Sequence, residues 1–167
     1  MKQYRISGLI VAGLIFLADQ LVKYVVTGPL QLQHRGEQGI NLIPFFKLTY
    51  AENNGVSMGM LTANTDLQRW LLVGLTAVVA SLVAGWLWKE KQKWDAMALG
   101  LILGGALGNI LDRVRLGYVV DYADFHIGTW RPFLIFNLAD AAITIGVLIL
   151  IARAFLLRDK GETASEA

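Results

Sequence analysis

The sequence predicts an α-helical integral membrane protein, with four transmembrane helices and a small antiparallel β-sheet cradle on its outer, periplasmic face. Composition is the first reason: 55% of the 167 residues are hydrophobic, only 17% are charged and the mean hydropathy is +0.50, which is outside the range of soluble domains. The second is length, because the windows 7–26, 69–88, 95–111 and 134–157 each approach the roughly 20 apolar residues that a helix needs to cross hydrocarbon. The third is what lies between them: the connections 27–68 and 112–133 carry Gly, Pro and Asn turn signals around short β-prone runs. The chain reads as one membrane-embedded domain over 1–167.

The first span follows Lys2 and Arg5, as a secretory signal would. It continues into Asp19, Gln20 and Lys23 without a small-residue cleavage site, so it reads as a retained anchor. Within connection 27–68, the stretches 40–43 and 45–51 are strand-like and Asn53-Asn54-Gly55 marks a turn. The third span carries Gly100, Gly104, Gly105 and Gly108. Spacing by four puts Gly100, Gly104 and Gly108 on one face, a stripe read as close helix packing, and Gly108 is also counted among the residues supporting the site. In connection 112–133, residues 118–122 and 125–127 read as strand, Gly128-Thr129 as a turn and 130–133 as the returning strand. Strands from both connections are expected to share one sheet at the headgroups, where Tyr50, Tyr118 and Trp130 can anchor it, because an open sheet edge cannot face lipid. A short polar tail after Arg158 is expected to be disordered.

Orientation follows from the basic residues. Lys2, Arg5, Lys89, Lys91, Lys93, Arg153, Arg158 and Lys160 fall on one side, which is therefore read as cytoplasmic, with both termini there and both long connections outside. The net charge of +2 is scattered over span ends, with no basic stripe for nucleic acid. Cysteine is absent, which excludes disulfides, thiol catalysis and thiolate metal sites. His34 and His126 are isolated and lack zinc-ligand spacing; a divalent ion at Asp112, Asp121, Asp124 and Asp140 is a minor alternative, and no metal or cofactor is expected.

The polar residues at the outer boundary carry the functional signal. Asp121 lies just past the third span and Asp140 at the mouth of the fourth. A carboxylate at a membrane boundary loses hydration, and a second one nearby raises the cost of ionising both, so such a pair can share a proton and act on water. Asp121 follows Val119 and Val120 in a strand-like stretch, and Asp124, three residues on, is out of phase with it. Asn137 and Asp140 stand where helix capping is the competing explanation. Asn109, Asp112 and Arg113 share a helix face, where Arg113 either pairs with Asp112 or a lipid phosphate or holds substrate. Asp19 and Lys23, four apart, read as an ion pair with a supporting role.

Taken together, these blocks resemble the lipoprotein signal peptidases, the bacterial aspartyl proteases also called signal peptidase II. The resemblance rests on Asp19-Gln20 with Lys23, Asn53 with Gly55 and Gly59, Gly104-Gly105 through Asn109 to Asp112-Arg113, Val119-Val120-Asp121, and Phe136-Asn137-Leu138-Ala139-Asp140, in family order across nearly the whole chain. It implies a four-helix inner-membrane enzyme that removes signal peptides from prolipoproteins, cutting before a diacylglyceryl cysteine. It also implies sensitivity to globomycin-type cyclic peptides. Asp121 and Asp140 match the catalytic pair, and Asn53, Asn109, Arg113 and Asn137 match polar positions lining the site. Membrane lipids and the prolipoprotein are the expected partners of a monomer. The rival reading is a non-enzymatic transporter or proton-conducting subunit, since intramembrane ionisable residues also mark ion pathways. A purely structural scaffold is a third.

Overall fold

The computed structural model describes residues 4–56, 61–62, 66–128 and 130–163. Gly59, Thr129 of the expected turn and residues 164–167 of the expected tail lie outside the described residues. In chain order the elements are α1 (Arg5–Thr27), β1 (Ile40–Ile43), β2 (Phe46–Asn53), β3 (Gly55–Val56), β4 (Leu61–Thr62), α2 (Asp66–Lys89), α3 (Lys93–Arg115), β5 (Val119–Phe125) and α4 (Leu138–Thr163), with 3-10 turns at Leu32–His34 and Gly36–Gln38.

All four helices are long and apolar enough to cross a membrane. Their backbone donors and acceptors are satisfied within each helix, which hydrocarbon demands. Large apolar side chains such as Leu14, Leu21, Leu82 and Leu148 point outward and stay exposed, as they do when lipid is the solvent. The centre of the bundle is α3, whose buried face includes Ala96, Leu99, Leu103 and the glycines. Those glycines are packing devices, as the stripe predicts. A Cβ on Gly100 would collide with the Gly8 carbonyl of α1, and one on Gly104 would sit 2.5 Å from the Ala12 carbonyl. Gly105 serves the opposite neighbour, where a Cβ would stand 2.5 Å from the Ala139 carbonyl of α4. Backbones in van der Waals contact replace the hydrophobic drive that is missing between helices in lipid.

The three-stranded sheet runs β1-β2-β5, antiparallel throughout, so strands from the two long connections do share one sheet. Val120 and Tyr122 pack with Val26 and Leu32 beneath it, and the alternation of side chains turns Asp121 to the other face. Asn53 ends β2 and accepts the Gly55 N–H through Oδ1 at 3.1 Å, an Asx turn that starts the β3–β4 hairpin.

Four expectations change. β5 is one continuous strand through Phe125, because it pairs with β2 at both ends, Val119–Asp121 and Ala123–Phe125, on either side of a register shift. The returning strand at 130–133 does not form: Ile127 and Trp130 make a single bridge, and Pro132 removes a donor from any further ladder. The fourth helix begins at Leu138, four residues later than its apolar window, because Phe136 is held extended by reciprocal backbone hydrogen bonds with Ala123 at 3.1 and 2.8 Å. At its other end α4 continues to Thr163, where a disordered tail was expected after Arg158.

The α1–α3 contact generates a first prediction. Gly104→Leu forces the helices apart and costs about 1–3 kcal/mol, the range for overpacking; thermal unfolding in detergent should show a lowered midpoint, whereas Gly74→Leu, with nothing within 4 Å of its Cβ position, should leave it unmoved.

A candidate site built on two carboxylates

The first turn of a helix leaves backbone N–H groups without partners, and the way α4 satisfies its own positions the site. Leu138 N–H donates to the Tyr122 hydroxyl (3.1 Å), Ala139 N–H to Asp19 Oδ1 (3.1 Å) and Asp140 N–H to Asn137 Oδ1 (2.9 Å). Asn137 N–H in turn donates to Asp140 Oδ2 at 3.3 Å, completing a reciprocal capping box. Capping is therefore real, and it aims the remaining groups. With its oxygen held by the α4 backbone, Asn137 can only turn its amide nitrogen outward, to Asp121 Oδ1 at 2.7 Å and Asn109 Oδ1 at 3.1 Å.

Asp121 receives a second donor from the other long connection, Asn53 Nδ2 to Oδ2 at 3.1 Å. Asp140 Oδ1 accepts from Asn109 Nδ2 at 2.8 Å. Two carboxylates, one from β5 and one from α4, are thus linked through Asn137 and Asn109. Burial, and after it the charge of Asp140, push the Asp121 carboxyl up to about 7, against the hydrogen bonds from Asn53 and Asn137 that favour its anion. A carboxyl that keeps its proton near neutrality beside a second carboxylate is equipped for acid–base chemistry on a carbonyl and a water.

Behind the pair lies a buried ionic cluster. Lys23 Nζ stands 2.8 Å from Asp19 Oδ2 and 2.8 Å from Asp112 Oδ2, and donates to Asn109 Oδ1 at 3.2 Å. Gln20 Nε2 donates to Asp112 Oδ1 at 3.0 Å and to Asp19 Oδ2 at 3.2 Å, and Asp112 Oδ2 accepts the Val120 N–H at 3.2 Å. Gly108 earns its place among the supporting residues through space, since a Cβ there would meet Asp19 Oδ2 at 2.5 Å.

Of the sequence-predicted residues, Asp19, Lys23, Asn53, Gly108, Asn109, Asp121, Asn137 and Asp140 converge. Arg113 flanks them: Asp140, Asp121 and Asp112 act on its charge, but its Nε is buried without a hydrogen bond and Asp112 pairs with Lys23 instead. Asp124 is removed to the other face of β5, buried against Lys47 (3.6 Å), Arg131 (3.1 Å) and Thr49 (3.3 Å). The four-carboxylate metal site therefore does not assemble: among the described residues no group of His, Asp or Glu side chains is arranged to hold an ion. Sequence reasoning missed Tyr122, a strand tyrosine with no local sign of a helix-capping role. It also missed Arg69, whose Nε and Nη2 donate to the Arg113 and Val114 carbonyls (2.8 and 2.6 Å) and close the end of α3.

A family model described as signal peptidase (SPase) II matches residues 11–156. This chain belongs to the signal peptidase II family. Among its relatives is the lipoprotein signal peptidase of Sphingopyxis alaskensis, 58% identical and covering 96% of this chain and 90% of that protein. That of Rhizorhabdus wittichii is 55% identical over 93% of this chain and 90% of its own length. A bacterial membrane enzyme solved by the in meso method superposes with a TM-score of 0.76 at 30% identity, covering 93% of this chain and 90% of that one. The chain is accordingly a multi-pass membrane protein of this family, with the four helices and the sheet described above.

The ionic cluster generates a second prediction. Asp112→Ala leaves the buried Lys23 with one counterion and the Val120 N–H with no acceptor, at a cost of about 3–5 kcal/mol. Thermal unfolding should register this, while Lys91→Ala, at an exposed position, should have no comparable effect.

Proposed function

We propose that this chain is an aspartic-type membrane endopeptidase that removes the signal peptide of prolipoproteins, cutting before a diacylglyceryl cysteine, with Asp121 and Asp140 as the catalytic pair. The observation that carries the assignment is Asn137, whose side-chain nitrogen donates to Asp121 Oδ1 and whose backbone N–H donates to Asp140 Oδ2, so that one residue joins the two carboxylates across chain segments. Asp140 sits in the first turn of α4, where its carboxylate accepts from the Asn137 N–H and the Asn109 amide. Asp121 lies in a strand between Val120 and Tyr122, 2% exposed, and burial raises its carboxyl pKa. The resting proton of the pair therefore sits on Asp121.

In the reaction Asp140 takes a proton from a water as its oxygen attacks the scissile carbonyl carbon, while Asp121 gives its proton to the carbonyl oxygen. As the tetrahedral intermediate collapses, the carbonyl reforms and its hydroxyl proton returns to Asp121, the carbon–nitrogen bond breaks, and Asp140 passes the proton it took from water to the leaving amine. The products are a signal peptide ending in a carboxyl group and a lipoprotein beginning with its lipidated cysteine. Both lipid tails of the substrate remain in the bilayer, and the sheet holds the peptide at the headgroups. The distribution of basic residues supports an inner-membrane protein with cytoplasmic termini and the site on the outer face. The same reading makes it a monomer bound by globomycin-type cyclic peptides.

The transport reading finds less support. A relay needs free polar groups at several depths, but the α2 hydroxyls of Thr76 and Ser81 donate to their own helix at Leu72 and Ala77 (both 2.8 Å).

Asp121→Asn and Asp140→Asn should each lower cleavage of a diacylglyceryl lipobox peptide by about 10³-fold or more while the protein remains folded; near-normal turnover in either variant rejects the pair. The wild-type rate should fall as pH rises through about 7, because Asp121 then loses the proton that it must donate, and should fall again in acid as the pair becomes fully protonated. A rate that climbs steadily above neutrality contradicts the proton placement.

A further inference from the structure

An asparagine amide can face its neighbours in two ways, and which way it faces decides whether it gives or takes a hydrogen bond. Asn109 stands between Lys23 and Asp140. Lys23 is an ammonium with three donors and no acceptor, 5% exposed and fixed on two further sides by Asp19 and Asp112 at 2.8 Å each. Whatever end of Asn109 meets Lys23 must be the oxygen, and that contact is 3.2 Å. The nitrogen is thereby forced toward Asp140 Oδ1, at 2.8 Å. The same oxygen also takes the Asn137 N–H at 3.1 Å, so a flipped Asn109 would set donor against donor twice.

We propose that Lys23 is a positioning residue that, with the Asn137 amide, locks Asn109 and so directs the Asn109 N–H to Asp140. This rests on the catalytic reading of the two aspartates. Lys23 does not touch Asp140; it acts through Asn109. The charged groups facing the pair are Asp19 and Lys23 from α1, Asp112 and Arg113 from α3, with Asp121 on β5 and Asp140 on α4 facing each other. Only Lys23 among these cations contacts an amide of the network. The lock also explains why an ion pair remote from the peptide bond shares a cluster with it: Asp19 and Asp112 hold the ammonium where it can meet only one end of Asn109.

The test compares Lys23→Gln, Lys23→Arg and Asn109→Asp in the full chain in lipid nanodiscs, with kcat and KM for a diacylglyceryl lipobox peptide measured across pH. A glutamine can both give and take a hydrogen bond, so the lock is weakened to the one donor that Asn137 supplies. Lys23→Gln should lower kcat about tenfold, leave KM within about threefold, and move the acid limb of the kcat profile to higher pH by about one unit. Lys23→Arg, which again only donates, should return that limb toward its wild-type position. Asn109→Asp keeps an acceptor for Lys23 and removes the donor to Asp140, and should move the limb in the same direction. It decides the matter if Lys23→Gln does not fold. An acid limb that stays in place in folded Lys23→Gln and Asn109→Asp overturns the lock, as does an equal displacement in Lys23→Arg. Active Asp121→Asn or Asp140→Asn would instead remove the catalytic reading beneath it, so the two failures are distinct.

Discussion

The constraint on which the rest depends is that a lysine ammonium is buried among helices that lie in lipid. Lys23 is only 5% exposed, and Asp19 and Asp112 on either side of it offset the cost of burying its charge. Those contacts require α1 and α3 to approach closely, and the glycines at 100, 104 and 108 are what permit the approach. Once α1 and α3 are so joined, Asp19 reaches the Ala139 N–H and fixes where α4 begins. The place of Asp140 thus descends, contact by contact, from the burial of one cation.

The sheet imposes the complementary requirement. Asp121 can meet Asp140 only if β5 is held at the mouth of the bundle. Three ties do this: Asp112 accepts the Val120 N–H, Tyr122 caps Leu138, and Ala123 exchanges backbone hydrogen bonds with Phe136. Each joins β5 to a helix end that the ionic cluster has already positioned. β2 then adds Asn53 from the far side of the chain. Structural and functional roles coincide in this arrangement, since Asn137 is at once a helix cap and the bridge between carboxylates. Asking whether such a residue is structural or functional separates two effects of one geometry.

Much of this was legible in the linear chain. The four spans follow from hydropathy, which is local, but hydropathy does not mark where a helix starts when a tertiary tie intervenes. The late start of α4 is one such case: the window 134–157 is apolar throughout, and only pairing of Phe136 with Ala123 keeps the first residues out of the helix. The ion pair of Asp19 and Lys23 was readable because both lie on one turn of one helix. The partner of Arg113 was not, since Asp112 beside it is claimed by Lys23 from a different helix.

The sequence by itself determined a membrane protein with four crossings, a sheet drawn from its two long connections, and acidic residues gathered at one boundary, because hydropathy, β-propensity and charge are properties of neighbours along the chain. Which of those acids meet was decided by the tertiary structure alone. Asp112 and Asp124 are neutralised by cations from other elements, while Asp121 and Asp140 are left to share amides. The contacts that make this choice join residues as far as 120 positions apart, and no local pattern records which distant partner will arrive first.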